Sequence, residues 1–268
     1  MAIAYYAHRR EAGYWTEVWR NESLQHLLAV ARRDPLSTYF LENLPADGIV
    51  LEGGCGLGQL VLFLREHGYD ALGGDSSLAA LQIHRRMYPN SPLLGLDLRS
   101  MPFADRTLRS HISVGVIEHL EDGPGDLLRE FYRTLVPGGV LLVSVPWVNG
   151  YRRAFRPLIQ RQQGRLRNSG GRFHQYAFSR AEIEALLGEA GFRVRSFHPY
   201  SPARGLREAP FLHKLYRRVA QHPAGISAKN TDSAGTQSVR GWRRFLYWRP
   251  MLWLFAHMIL AVAFRPGS

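Results

Sequence analysis

The chain has 268 residues, 46% of them hydrophobic and 21% charged, which suits a chain that buries a core and excludes a collagenous or wholly disordered protein. Its net charge of +12 is unevenly spread: residues 1–150 carry 13 Arg against 17 acids, whereas 151–180 carry eight Arg and no acid, and 201–268 carry eleven cations against two acids. A single cysteine, Cys55, excludes an internal disulfide framework, and no Cys/His cluster has metal-ligand spacing, so no metal is expected and the chain reads as cytoplasmic.

Residues 1–20 mix charge with aromatics and lack the apolar run of a signal peptide. Apolar spacing over 14–31 (Val18, Trp19, Leu24, Leu27, Leu28) predicts a helix that either covers a pocket or simply packs. From 48 to 200, strand-like runs at 49–52, 69–73, 92–96, 111–116, 140–145 and 192–197 alternate with helical patterns at 59–67, 78–88, 125–135 and 180–190. That is the pattern of βαβ units and a mostly parallel sheet. Pro137-Gly138-Gly139 is expected to end the third of these helices and turn the chain into the next strand. Ser179 and Glu182 form a capping-box pair at the start of the fourth.

Beyond 200, residues 206–220 place Phe211, Leu212, Leu215, Tyr216 and Val219 on one helical face with cations elsewhere, a pattern suited to an interfacial helix. Residues 222–241 lack periodicity and read as a loop. An aromatic and arginine-rich stretch at 242–249 precedes fourteen uncharged residues, 251–264, too few to span a bilayer. Three segments follow: a helical cap over 1–44, a core over 45–200, and a basic insertion with a final strand over 201–268.

The chemistry concentrates in Glu52-Gly53-Gly54-Cys55-Gly56-Leu57-Gly58, a small-residue turn between a strand and a helix. Glycines there permit a tight turn and close backbone approach to a ligand, and the helix N-terminus supplies oriented N–H groups. Glu52, Asp75 and Asp97 then fall at the ends of successive strands, converging on the crevice where open α/β sheets bind ligands. Asp75 is placed to accept from ribose hydroxyls, and Asp97 from an exocyclic amine; singly, each could be a helix cap. The dinucleotide fingerprint wants G-x-G-x-x-G, whereas Gly54, Gly56 and Gly58 make G-x-G-x-G and position 59 is Gln.

With Gly73-Gly74-Asp75-Ser76-Ser77, Leu96-Asp97-Leu98, Val116-Ile117-Glu118-His119-Leu120, Leu135-Val136-Pro137-Gly138-Gly139 and Gly191-Phe192, the sequence resembles the class I S-adenosylmethionine-dependent methyltransferases, in particular their type 11 branch. The resemblance implies a Rossmann-like, seven-stranded, mostly parallel sheet with helices on both faces. It implies S-adenosylmethionine as cofactor, with its methionine end at Glu52, Gly54, Cys55, Gly56 and Gly58, its ribose at Asp75 and Ser76, and its adenine at Asp97 and Leu98. Gly115 joins this set. Ser110-His111 departs from the Phe-Asp pair that commonly leads the family's fourth strand. The segment 257–266 resembles the strand that closes the family's sheet.

Methyl transfer needs an aligned nucleophile, a dry site and, for a hydroxyl acceptor, help with its proton. His119 is the first candidate for base or substrate contact, with His174 and Tyr176 behind it; Tyr176 equally suits plain packing, and Cys55 suits packing better than nucleophilic work. The expected acceptor is a small molecule, a lipid or a lipid-linked molecule, with peripheral membrane contact through 206–220 and 242–264. Nucleic-acid methylation is the competing reading, since arginine-rich grooves track phosphates, and a non-catalytic binding protein on the same fold is another.

Overall fold

The computed structural model describes residues 2–8, 13–208 and 246–267. A first strand, β1 (Ile3–Ala7), precedes three helices, α1 (Tyr14–Arg20), α2 (Leu24–Ala31) and α3 (Pro35–Asn43). The core then alternates β2 (Ile49–Gly53), α4 (Gln59–Glu66), β3 (Asp70–Asp75), α5 (Leu78–Met87), β4 (Leu93–Gly95), β5 (Leu108–Val114), α6 (Gly125–Thr134) and β6 (Leu135–Pro146). After it come α7 (Gly150–Ala154), α8 (Arg156–Asn168), β7 (Arg172–Ala177), α9 (Arg180–Glu189), β8 (Arg193–Tyr200), α10 (Pro202–Glu208), α11 (Arg249–Phe255) and β9 (Met258–Phe264).

Seven strands form one sheet in the order β4-β3-β2-β5-β6-β9-β8. All pairs are parallel except those of β9, which runs antiparallel to both β6 and β8. Strand order reverses between β2 and β5, so the C-terminal ends of those two strands open a crevice at the topological switch point. The continuous apolar run of β6 reflects burial on both faces. Leu141, Val143 and Val145 pack with Leu128, Phe131, Ile183 and Leu187 from α6 and α9. Val140 and Leu142 face the other way, into Phe40, Val61 and Leu64 from α3 and α4. Each such side chain contributes roughly 1.5–3 kcal/mol when removed from water. In β9, Leu260 and Val262 join the second layer and Ile259, Ala261 and Ala263 the first.

Three local expectations are corrected, and the expected final strand is found. The pattern over 14–31 makes two helices, because Ser23 is extended and its hydroxyl accepts from the His26 N–H, starting α2 anew. Pro137-Gly138-Gly139 lies inside β6, where one β5 residue, Arg109, stands against four of β6 between the Leu108–Leu135 and Ser110–Val140 pairs. That bulge is pinned to the chain end: the Gly138 N–H donates to the Arg265 carbonyl, and the Arg265 N–H donates to Gly139. The buried Arg265 guanidinium in turn caps α6, donating to the carbonyls of Tyr132 and Leu135. Residues 172–177, absent from the expected strands, are strand β7, paired antiparallel with β1 in a separate ribbon. The uncharged run 251–264 is the end of α11 and the sheet strand β9. Among the described residues no helix is long and apolar enough to cross a membrane. Beyond Glu208, the amphipathic pattern over 206–220 lies outside the described residues, as do 222–241 and the beginning of 242–249.

Two buried titratable groups flank β5. His111 is fully buried, stacked on Phe131 with ring centroids 4.5 Å apart and bonded through Nε2 to the Thr134 hydroxyl at 2.8 Å. Burial pushes its pKa from 6.5 down to about 3, so it is a neutral core residue. Glu118 lies in the 3₁₀ turn after β5, and burial pushes its carboxyl from 4.5 up to about 8. The unfolded chain protonates His111 below 6.5 while the folded chain does not, so His111 costs stability as pH falls from 6.5 towards 3. The unfolded chain ionises Glu118 above 4.5 while the folded chain holds it neutral, so Glu118 costs stability as pH rises from 4.5 towards 8. In denaturant titrations, wild type is expected to lose about 1.4 kcal/mol per pH unit relative to His111→Gln on acidification from 6.5. Relative to Glu118→Gln, it is expected to lose a similar amount per unit on raising the pH from 5 to 8. Parallel profiles in either comparison would remove the assignment.

Candidate functional site

The glycine turn leaves β2 at Gly53 and enters α4 at Gln59. Gly54 and Gly56 adopt φ of 78° and 53°, a left-handed backbone that disfavours side chains. Space gives a second reason: a Cβ on Gly54 would collide with Val116, and one on Gly56 with the indole of Trp19. The turn is fixed from three sides. The Gly54 N–H donates to the Gly74 carbonyl at 2.7 Å. His84, buried on α5, donates from Nδ1 to the Leu57 carbonyl at 2.7 Å, its protonation disfavoured by burial. Cys55 packs its sulfur against Gly73, and burial pushes its thiol pKa far up, so it is a neutral packing residue.

Asp75 ends β3, and both its oxygens are held by backbone. Oδ2 accepts from the Gly56 N–H and Oδ1 from the Ser77 N–H, each at 2.7 Å. Each oxygen keeps a second lone pair for a donor in the cavity. Glu52 is buried beneath the turn. Burial, followed by the nearby Asp75 charge, pushes its carboxyl well above the usual range, and its Oε2 meets no hydrogen-bond partner.

These residues border a cavity of about 410 Å³ lined by Gly54, Asp75, Ser76, Asp97, Leu98, Gly115 and His119, among others. Seven of the predicted site residues therefore share one wall, in the size range of cofactor clefts. Gly56, Gly58, Cys55 and Glu52 lie in or below the turn that shapes that wall and are not among its lining. Asp97 lies two residues beyond β4 and is paired with Arg99, accepting from its N–H at 2.9 Å and from its guanidinium at 2.8 and 3.1 Å. That pairing holds its carboxyl below the ordinary value.

Trp15 and Trp19 of α1, with ring centroids 6.2 Å apart, roof the same cavity. His119 faces Trp15 edge-on at 5.0 Å and donates from Nδ1 to the His174 carbonyl at 2.8 Å, which puts the neutral ring's acceptor lone pair on Nε2. The His174 ring stands 5.5 Å from that of His119. Tyr176 packs between Phe173 and Phe178, and its hydroxyl donates to the Glu121 carbonyl at 3.0 Å. It ties down the loop behind His119, and neither it nor His174 lines the cavity.

A second, larger cleft of about 850 Å³ meets the first at Trp15 and Ser76. Tyr6, Tyr14, Phe173, Arg167, Arg172 and Glu121 are among its lining. Of these residues the sequence signalled only the helix that carries the two tryptophans. Trp15, Arg99 and the support from His84 carried no motif, and Arg167 was visible only as part of a charge run.

The arrangement suits a nucleoside-bearing cofactor: an acid at the β3 end, a glycine cradle that a Cβ would fill, and a buried unpartnered carboxylate oxygen below it. Comparison with known proteins agrees. A methyltransferase-domain family model matches residues 21–196. A Mycolicibacterium smegmatis protein named as a probable S-adenosylmethionine-dependent methyltransferase is 29% identical over 202 residues, covering 68% of this chain and 72% of that one. Among solved structures, an Archaeoglobus fulgidus SAM-dependent methyltransferase superposes with a TM-score of 0.55 at 14% identity, covering 93% of this chain and 97% of its own. The [4+2]-cyclase SpnF superposes at 0.52 with 17% identity, over 99% and 87% of the two chains. At those identities the structural matches show the fold alone. With a family model covering most of the sheet, and with Gly54 of the glycine turn, Asp75 and Asp97 lining one cavity, the chain belongs to the class I S-adenosylmethionine-dependent methyltransferases.

Proposed function

We propose that the chain methylates an oxygen or nitrogen of a small-molecule, lipid or lipid-linked acceptor that enters through the larger cleft. The observation that carries this reading is the junction at Trp15 and Ser76, where that cleft meets the cavity bounded by Asp75 and His119. In this assignment Gly54, Cys55, Gly56 and Gly58 present backbone to the methionine end of the cofactor, with Glu52 beneath them. Asp75 and Ser76 would hold the ribose, Asp97 and Leu98 the adenine, and Gly115 would complete the cofactor wall. When bound, S-adenosylmethionine supplies an electrophilic methyl whose transfer leaves a neutral thioether.

The chain's own contribution is positioning and proton handling. Asp75 is already oriented by two backbone donors, so little reordering is needed to engage a ligand. The two tryptophans exclude water, and His119, its tautomer fixed by the His174 carbonyl, offers Nε2 to the proton that a hydroxyl or amine releases. The aromatic rings and the Arg167 and Arg172 guanidiniums of the larger cleft support an acceptor with an anionic group beside an apolar body.

Two outcomes test this. Asp75→Ala is expected to weaken S-adenosylmethionine binding at least about tenfold in calorimetric titration, since hydrogen bonds to charged groups contribute roughly 1.5–3 kcal/mol. Unchanged affinity would reject the ribose assignment. His119→Ala is expected to keep cofactor affinity within about twofold while labelled-methyl incorporation into a metabolite and lipid extract falls about a hundredfold or more. Weakened cofactor binding with the residual turnover intact would make His119 a loop-ordering residue instead.

A further inference from the structure

Two short helices at the sheet's C-terminal edge build a rigid aromatic platform. α7 follows the end of β6, and α11 precedes the start of β9, whose Met258 pairs with Pro146. Both therefore lie at the edge that carries Gly54 and Gly115. Asn149 binds them together, donating from Nδ2 to the Ala256 carbonyl at 2.9 Å while its Oδ1 accepts from the Arg152 N–H. The Arg152 guanidinium, only 6% exposed, donates to the carbonyl of Trp147 at 2.7 Å and to Nδ1 of His257 at 3.0 Å. Gly150 packs so closely on the Trp253 indole that a Cβ there would collide with it.

What this frame holds outward is apolar. Trp253 is 51% exposed, Trp248 58% and Leu158 54%, with Phe155 and Tyr247 also exposed. Large aromatics held in water by buried hydrogen bonds mark an interaction surface more often than a folding remnant. Around them stand exposed Arg153, Arg161, Arg165 and Arg249. The segments that supply the platform, 146–180 and 246–267, contain no Asp or Glu at all. α8 has no buried residue; it rests on β1, where its Gln163 accepts from the Tyr6 N–H, and exposes Leu158, Arg161 and Arg165.

We propose that this platform docks the protein on an anionic lipid bilayer, with Trp248, Trp253, Phe155 and Leu158 entering the headgroup boundary and the arginines pairing with lipid phosphates. Amphipathic indoles partition to that depth, and each cation near an anionic surface adds to the attraction. A protein partner bearing carboxylates would satisfy the arginines, but the mixture of tryptophan and arginine with no acid favours lipid. Because the platform shares an edge with the cofactor cavity, docking brings the acceptor cleft to the membrane. That consequence rests on the lipid-acceptor reading, whereas the surface itself does not.

The test uses the full chain and sedimentation with vesicles of equal phosphatidylcholine and phosphatidylglycerol, or of phosphatidylcholine alone, at about 0.1 M salt. Wild type is expected to bind the anionic vesicles at least about tenfold more strongly than the neutral ones. The Trp248→Ser/Leu158→Ser double variant is expected to lose that binding about tenfold while keeping its affinity for S-adenosylmethionine. Absence of wild-type binding, or binding that the variant retains, would overturn the proposal. So would a wild-type dimer in size exclusion that the variant abolishes, because the surface would then be covered by a second copy. Should the variant fail to fold, wild-type tryptophan emission with brominated phosphatidylglycerol vesicles decides: quenching supports insertion, and its absence overturns it. Vesicle binding by a wild type that does not bind S-adenosylmethionine would sink the cofactor assignment and leave the surface standing.

Discussion

The carboxylate of Asp75 ties together the two loops that leave the paired strands β2 and β3. One oxygen holds the Gly56 N–H of the turn after β2, the other the Ser77 N–H that opens α5. A charged acceptor between two backbone donors is among the stronger hydrogen-bonding arrangements in a protein, and here it fixes the gap between two loops that must receive one ligand. Remaining contacts follow the same logic. His84 holds the turn from below through Leu57, Cys55 fills the space that the missing Gly73 side chain leaves, and Ser77 caps the helix whose other residues carry His84. His84, Cys55 and Ser77 support the loops without lining the cavity, leaving the turn's inner backbone available.

Burial makes the same edge electrostatically unusual. Glu52 and Glu118 both lie in the interior behind the cavity, and both carboxyls are pushed towards the neutral form, chiefly by desolvation. Asp75, 8% exposed at the cavity wall, is held by two N–H donors. Keeping its neighbours neutral limits like-charge repulsion on the carboxylate that would engage ribose.

Most of this was legible because it repeats locally. Strands of the parallel core announce themselves as short apolar runs before glycine, and the acids of β2 and β3 recur at the same place in each βα unit. What escaped depends on contacts across the chain. Tyr5 and Gln175 pair 170 residues apart, and nothing in five residues of Ile3–Ala7 tells an isolated ribbon strand from a loop. Pro137-Gly138-Gly139 has turn chemistry, and its glycines do turn, but the hydrogen bonds from Arg265 convert that turn into a bulge within a strand. Trp19 read as part of a helix that either covers a pocket or packs, and Trp15 carried no signal; the position of α1 over the glycine turn makes both a roof. Asp97 was legible as a ligand-facing acid, while its pairing with Arg99 depends on side-chain direction that spacing does not reveal.

The order of the last strands explains why site and surface occupy one edge. Because β9 runs antiparallel between β6 and β8, the chain must arrive at its start on the C-terminal side of the parallel strands, so the segment before it is delivered beside the crevice. The chain leaving β6 emerges at that side too, which puts α7 and α11 together and lets Arg152 bridge them through Trp147 and His257. Parallel strands open the ligand crevice at their C-terminal ends, and a single reversed strand brings the aromatic and arginine-rich residues there. Removing that reversal while keeping the parallel order would leave the crevice intact and carry α11 to the opposite edge. The proximity of cavity and platform is therefore a consequence of topology rather than of any one side chain.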